Sequence, residues 1–111
     1  MNFTIPNRKL SKRLSDPAET VKTYGMPIAK RIHQRLREFE AASCLEEIRS
    51  LPAANCHQLT GQDAGSLAVD VSANYRLIFQ PAENPPPLKD DGGLDWSAVT
   101  EIIILDIVDY H

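Results

Sequence analysis

The sequence predicts an α+β domain in which helices cover one face of a small, mostly antiparallel sheet. Three observations lead to this prediction. Apolar residues recur three or four positions apart up to residue 52, which is typical of amphipathic helices. From residue 57 onward they alternate instead, which is typical of half-buried strands. The strand-like segments also follow one another without a helix between them, an order that favours antiparallel pairing with helices gathered on one side.

The N-terminal part is interpreted as one short strand followed by helices. Residues 2–5, "NFTI", form the strand. Asn7 is a candidate N-cap for a first helix that has Leu10 and Leu14 on one face. A second short helix then closes at Gly25, a residue type that is common just past helix ends.

The clearest predicted helix begins near Pro27, because proline is favoured in the first turn of a helix. Its apolar residues follow one another at four, four and three positions and form one stripe: Ile28, Ile32, Leu36 and Phe39. One or two further helical turns end at Pro52. We expect this stripe to pack on the sheet.

Three strands are predicted after the helices. Residues 66–72, "SLAVDVS", and 75–80, "YRLIFQ", alternate between a core face and a mixed face. Residues 101–110, "EIIILDIVDY", begin apolar on both faces, as a central strand does. Residues 81–100 form a long acidic loop rich in Pro and Gly. Trp96 in this loop is either an anchor or a partner contact, and we favour the anchor.

The 111 residues fit one domain, residues 1–111, that builds its own core. The net charge is −3, but the charges are unevenly distributed. Residues 1–40 carry nine Lys or Arg against four acids, a net of +5, whereas residues 41–111 carry three against eleven, a net of −8. A basic half can face phosphates, although solvated helix faces produce the same pattern.

The sequence has neither an apolar run of membrane length nor a secretion signal. Cys44 and Cys56 are not at metal-ligand spacing, and free thiols in a cytosolic protein are favoured over a disulfide between them. No paired carboxylates or His/Cys cluster predicts a metal site. We therefore expect a cytoplasmic protein without a cofactor.

Five residues remain as candidates for chemistry after the core and the caps are assigned. His57 precedes a strand, and Arg76 lies on the mixed face of another. Asp109, Tyr110 and His111 close the last strand. If the last three strands lie side by side, all five residues can converge on one face of the sheet.

The chain resembles the HigB branch of the RelE/ParE toxins of bacterial type II toxin–antitoxin modules. Five stretches in the same order carry the resemblance: "KLSKRL", "YGMPIAKRIHQRL", the His-x-Leu-x-Gly signature at His57, "NYRLIF" and the terminal Asp-Tyr-His. The long loop looks like versions of the family called killer or killer-suppression proteins. The resemblance implies a RelE/ParE-like fold.

The resemblance also implies a ribosome-dependent endonuclease that enters the ribosomal A site and cuts mRNA. It implies a HigA-like antitoxin with a helix-turn-helix, through which any contact with DNA is indirect. It assigns catalytic roles to five residues: His57, Arg76, Asp109, Tyr110 and His111. We further expect RNA contacts from Arg31, Arg35 and Asn74.

These residue types suit RNA cleavage without a metal, in which the ribose 2′-OH attacks the neighbouring phosphate. That reaction needs a base for the 2′-OH, a cation at the phosphate oxygens and an acid for the leaving 5′ oxygen. An imidazole can be the base or the acid. Arginine stabilises charge that develops on phosphate, and tyrosine stacks on a base or donates its proton.

Other interpretations of the same residues stay open. Arg76 can pair across strands with Asp70 or Asp109, and His57 can satisfy a loop. The lysine that the family often carries shortly after the histidine is absent from residues 59–61, "LTG". The overall acidity also differs from most ribosome-entering toxins. The alternatives are a weak nuclease, a module that only binds its antitoxin and regulates the operon, and a ParE-like gyrase inhibitor.

Overall fold

A computed structural model describes residues 1–109, which form four α-helices and a five-stranded sheet. The helices are α1 (Arg8–Ser15), α2 (Pro17–Tyr24), α3 (Met26–Ala41) and α4 (Leu45–Arg49). The strands are β1 (Asn2–Thr4), β2 (His57–Gln58), β3 (Leu67–Asp70), β4 (Tyr75–Pro81) and β5 (Glu101–Asp109). Tyr110 and His111 lie outside the described residues.

The sheet has the strand order β1-β5-β4-β3-β2. β1 pairs with β5 in parallel, and the other pairings between the described strands are antiparallel. The sheet is therefore mostly antiparallel, as the sequence predicts. The prediction missed β2, because two residues are too few to show an alternating pattern. His57 precedes β3, as predicted, but it also begins β2, which the sequence pattern does not show.

The helix boundaries follow local signals in the sequence. Asn7 Oδ1 accepts a hydrogen bond from the Leu10 N–H at 2.9 Å, and Asp16 Oδ1 accepts one from the Ala18 N–H at 3.0 Å, so both short helices begin at a side-chain cap. Gly25 has a φ of +85°, which suits glycine, and it separates α2 from α3. Among residues 1–109, no helix combines the length and apolarity needed to cross a membrane.

The core lies between the helices and one face of the sheet, which we call the covered face. The stripe on α3 supplies Ile32, Leu36 and Phe39 to the core, whereas Ile28 at its start is only partly buried. The rings of Phe39 and Phe79 meet edge to face with their centroids 5.1 Å apart. The prediction that helices cover one face of the sheet is confirmed.

The end of the long loop is part of the core. Leu94, Trp96 and Val99 are buried in the same apolar cluster as the helices and strands. The Arg49 guanidinium lies over the Trp96 ring, 4.7 Å from its centroid. Trp96 therefore anchors the loop to α4, which confirms the favoured interpretation.

Both thiols are free in the structure. Cys56 precedes His57 and packs against the core. Burial raises the pKa of Cys56 from its ordinary value of 9.0 to about 12, so this thiol keeps its proton at neutral pH. Its properties are those of a small apolar core residue.

Candidate functional site

The face of the sheet opposite the helices carries the candidate site, and we call it the outer face. His57 pairs with Ala68, and Ala68 pairs with Ile78, so these three residues form one row across β2, β3 and β4. Asp70 and Arg76 pair directly in the next row, two residues further along β3 and β4. The strand register thus places His57 and Arg76 on the same face.

His57 is held in one orientation by its own chain. Its Nδ1 lies 2.7 Å from the Asn55 carbonyl oxygen. A carbonyl oxygen can only accept a hydrogen bond, so Nδ1 carries the proton in this contact. In the neutral ring, Nε2 is then the nitrogen with the lone pair. The half-buried imidazole is thereby prepared to accept a proton at Nε2.

Arg76 forms an ion pair with its cross-strand neighbour. Its Nε lies 3.4 Å from Asp70 Oδ1, and the two side chains are 34% and 31% exposed. Asp70 is thus one of the two cross-strand partners that the sequence allows for Arg76, and the structure shows this pairing. The guanidinium also remains partly accessible, so the ion pair is compatible with a phosphate contact.

Arg35 is a structural residue, which corrects the expectation that it contacts RNA. Its side chain is only 2% exposed. Nε donates to the Asp70 carbonyl oxygen at 2.7 Å, one terminal nitrogen to Glu38 Oε1 at 2.7 Å and the other to the Ala53 carbonyl oxygen at 3.0 Å. The guanidinium is therefore committed to the interior of the protein. Its position on α3, three residues after Ile32, was the available signal in the sequence.

Arg31 and Asn74 are accessible, and they lie on neighbouring segments. Arg31 is exposed on α3 and lines a cleft of about 370 Å³ that the turn after β3 borders with Ser72 and Ala73. Asn74 is exposed in the same turn, where its N–H donates to Ser72 Oγ at 3.3 Å. The RNA contacts of Arg31 and Asn74 stay predictions.

Asp109 lies on the other face from His57 and Arg76. It pairs with Tyr75, whereas Arg76 pairs with Val108. One extra residue in β5 opposite Ile78–Phe79 forms a bulge, which reverses the alternation of side chains along the rest of the strand. The expected convergence on one face therefore fails for Asp109. Tyr110 and His111, the other two predicted residues of this strand end, are outside the described residues.

The acidic loop begins far from Arg76. It leaves β4 after Pro81, five residues along the strand, which corresponds to roughly 17 Å. Glu83 lies next to this departure point, beyond the far end of β4. Within residues 1–109, no group of three His, Cys, Asp or Glu side chains is placed to hold a metal ion.

Solved structures show which class of protein has this fold. The YoeB/ParE toxin from Agrobacterium tumefaciens superposes with a TM-score of 0.57 at 10% identity, over 100% of both chains. A chain of the YoeB-YefM complex from Staphylococcus aureus gives 0.55 at 14% identity, and a chain of the YoeB dimer from the same organism gives 0.52 at 16%. In both cases, 100% of this chain and 97% of the other are covered. The fold is that of the RelE/YoeB toxins.

The sequence gives the family within that class. Residues 7–86 match the family of HigB-like toxins, described as the RelE-like toxin HigB of type II toxin–antitoxin systems. The chain belongs to this family, which confirms the resemblance seen in the sequence. The matched residues include His57, Arg76 and Asp70 and end before β5. No curated protein sequence gives a significant match.

Proposed function

We propose that this toxin is a ribosome-dependent mRNA endonuclease that works without a metal ion in the bacterial cytoplasm. The observation that carries the proposal is the orientation of His57. Its Nδ1 is bound to the Asn55 carbonyl, so that Nε2 can take a proton on the face where Arg76 also lies. A base and a cation on one surface are two of the three groups that the reaction needs.

In the proposed reaction, His57 Nε2 removes the proton from a ribose 2′-OH. The 2′ oxygen bonds to the adjacent phosphorus, and the bond from phosphorus to the 5′ oxygen breaks. The leaving 5′ oxygen takes up a proton, so the products are a 2′,3′-cyclic phosphate and a 5′-OH. Arg76 stabilises the negative charge that develops on the phosphate oxygens.

The spacing of the two residues supports this division of roles. One strand, β3, separates β2 from β4, so their backbones are roughly 10 Å apart. The side chains of His57 and Arg76 rise from the two sides of this gap, in adjacent rows of the same face. A phosphodiester bound between them meets both groups. Arg31 and Asn74 are proposed to hold the flanking RNA.

Tyr110 and His111 are proposed to supply the remaining groups that the reaction needs. Tyr110 is suited to stack on a base, and His111 to protonate the leaving 5′ oxygen. Deleting both residues is expected to abolish growth arrest and leave folding and antitoxin binding intact. Circular dichroism and co-purification with the antitoxin provide the controls, and a truncated protein that stays fully toxic contradicts the assignment.

The partner is proposed to be a HigA-like antitoxin with a helix-turn-helix, which brings the toxin to operator DNA only indirectly. Family membership supports an antitoxin, and a YoeB chain has been solved as the YoeB-YefM complex. The neighbouring open reading frame is the first place to look. A small helix-turn-helix protein that co-purifies with the toxin is the expected result, and two independently stable proteins that do not bind contradict it.

The decisive experiment is mRNA cleavage in a reconstituted translation system, mapped by primer extension. Wild-type protein is expected to cut translated mRNA. The cleavage rate is expected to be the same whether or not the purified toxin was first treated with excess EDTA. His57→Gln is expected to lower the cleavage rate by about 10²- to 10⁴-fold. His33→Gln is the matched control, because His33 Nε2 contacts Thr20 Oγ1 at 3.1 Å on the helical side. Uncut mRNA with wild-type protein overturns the proposal.

A second candidate function is a binding module on the same fold. The Asp70–Arg76 ion pair favours it, because a carboxylate beside the cation competes with phosphate. A ParE-like gyrase inhibitor traps cleaved DNA and leaves mRNA intact, whereas a regulatory partner does not arrest growth at all. Assays of DNA cleavage by gyrase and of growth on induction separate these functions from the nuclease.

A further inference from the structure

Asp70 lies at the centre of the contacts that hold the two proposed catalytic residues. We propose that Asp70 is a positioning residue, which aligns Arg76 directly and His57 through Asn55, and that its charge weakens RNA binding in exchange for this alignment. The proposal deepens the nuclease assignment and rests on it for its catalytic consequence. Its structural part, the alignment itself, can be measured in the free protein.

The first step is the link from Asp70 to Arg76. Asp70 Oδ1 is shielded from solvent and accepts no hydrogen bond from residues 1–109, and Arg76 Nε is 3.4 Å away. A carboxylate oxygen is attracted to a guanidinium at this distance, and the attraction favours one placement of the Arg76 side chain. Asp70 and Arg76 are also direct register partners on β3 and β4. The carboxylate therefore holds the guanidinium above its own strand pair.

The second step is the link from Asp70 to His57. The other carboxylate oxygen, Asp70 Oδ2, accepts a hydrogen bond from Asn55 Nδ2 at 3.1 Å. The Asn55 carbonyl in turn accepts the bond from His57 Nδ1 at 2.7 Å. Asn55 has a φ of +46°, in the left-handed region that asparagine tolerates better than most residues. One side chain therefore fixes the peptide that selects the orientation of the imidazole.

The third step is the support from the interior. Arg35 donates to the carbonyl oxygens of Asp70 and Ala53 at 2.7 and 3.0 Å. These two carbonyls belong to the end of β3 and to the turn that leads into Asn55. A buried guanidinium thus holds together the two segments that Asp70 and Asn55 join on the surface. Because Arg35 is only 2% exposed, water has little access to these contacts.

The fourth step is the effect of charge. An arriving phosphate is repelled by the Asp70 carboxylate while it is attracted by Arg76, because both charged groups lie within a few ångströms of the same position. Replacing Asp70 with asparagine keeps the shape and removes the charge. We therefore expect weaker alignment together with stronger binding, two effects of opposite sign that general unfolding cannot produce.

The kinetic test compares Asp70→Asn with Asp90→Asn on mRNA-programmed ribosomes. Asp90 is exposed in the acidic loop, so it provides the same change of charge at a residue outside the contacts of Asp70, Asn55 and Arg76. For Asp70→Asn, kcat is expected to fall by about ten- to a hundredfold while KM also falls. Asp90→Asn is expected to leave kcat unchanged. Equal kcat values for Asp70→Asn and wild type overturn the proposal.

A double mutant tests whether Asp70 acts through Arg76. If it does, adding Asp70→Asn to Arg76→Ala produces little further loss of kcat, so the two effects are not additive. Fully additive losses overturn the link.

Asn55→Gly tests the link to His57, because glycine keeps the positive φ while removing the side-chain amide. The kcat of Asn55→Gly is expected to fall, but by less than that of Asp70→Asn. An unchanged kcat contradicts the link from Asp70 to His57.

Nuclear magnetic resonance of the free protein separates this proposal from the nuclease assignment. The Hδ1 signal of His57 and the Hε signal of Arg76 are expected to shift or broaden in Asp70→Asn and to match wild type in Asp90→Asn. Unchanged signals in Asp70→Asn overturn the alignment, whether or not the protein cuts RNA. Shifted signals in a protein that leaves mRNA uncut instead refute the nuclease and retain the alignment.

Discussion

Arg35 and Arg76 contact the same aspartate from opposite sides of the sheet, and their surroundings differ completely. Arg35 reaches the Asp70 carbonyl oxygen from the helical side and is 2% exposed. Arg76 reaches the Asp70 carboxylate on the outer face and is 34% exposed. The first guanidinium has almost no exposed surface, whereas the second can meet a phosphate.

Two arginines that contact the same residue are therefore expected to have different roles, Arg35 in stability and Arg76 in the proposed chemistry. Arg35 satisfies two backbone carbonyls and Glu38, so its loss leaves buried acceptors without donors. Arg76 makes an ion pair in a partly solvated place, where the pair itself contributes little to folding. We therefore expect mutations on the two sides to change different measurements.

The largest expected effect is on stability. Arg35→Ala is predicted to lower the free energy of unfolding by about 3–5 kcal/mol, because it removes a buried side chain and leaves the carbonyl oxygens of Asp70 and Ala53 without their donor. Urea denaturation measures the change. Arg31→Ala, an exposed arginine on the same helix, is the control and is predicted to stay within about 0.5 kcal/mol of wild type. Equal losses for both variants would remove the distinction.

The next effect is on catalysis. Arg76→Ala is predicted to slow mRNA cleavage by about 10²- to 10³-fold, since it removes the cation at the phosphate. Its free energy of unfolding is predicted to change by less than about 1 kcal/mol. Single-turnover cleavage and urea denaturation of the same preparation measure the two quantities. If Arg76→Ala is strongly destabilised yet still cleaves mRNA when folded, Arg76 has a structural role instead of a catalytic one.

A smaller effect concerns the buried thiol of Cys56, the residue next to His57. Burial raises the pKa of Cys56 from 9.0 to about 12, so the folded thiol keeps its proton where the unfolded thiol loses it. Its contribution to stability is therefore full below pH 9 and is lost as pH rises from 9 towards 12. Between about pH 8 and about pH 10.5, the free energy of unfolding of wild type is predicted to fall by about 1–2 kcal/mol more than that of Cys56→Ala. Parallel pH profiles would show that the thiol is accessible.

The smallest effect belongs to a third arginine, on the surface. Arg49 is 54% exposed, lies over Trp96 and contacts Glu46 at 3.5 Å. Arg49→Ala is predicted to lower the free energy of unfolding by about 0.5–1 kcal/mol, through the ring contact more than through the ion pair. Glu46→Ala isolates the ion pair and is predicted to have no measurable effect. A loss from Glu46→Ala as large as that from Arg49→Ala would reverse this order.

The elements that the sequence predicts well are those with local signals. Asn7 and Gly25 mark helix ends through capping and through a positive φ, which depend only on neighbouring residues. The alternation along β3 and β4 identifies the buried side of each strand for the same reason. Trp96 was correctly expected to anchor its loop, because a large apolar ring among acids needs a buried place.

The parts that sequence reasoning missed depend on contacts between distant segments. The bulge in β5 moves Asp109 to the covered face, and a shift of one residue reverses every later side chain. Arg35 looked like part of a basic surface because its partners, Asp70 and Ala53, are far away in the chain. From the sequence alone, Asp70 is only a possible pairing partner of Arg76. Its contact with Asn55 appears only once β3 and the turn before β2 are brought together.

The position of β5 has a consequence for how the protein is made. This strand is the last one synthesised among the described residues, yet it lies between β1 and β4. While it is missing, β1 has no neighbour among the described strands and β4 has an open edge, so the sheet cannot close before β5 has been synthesised. The nascent sheet therefore stays incomplete until β5 has emerged from the ribosome.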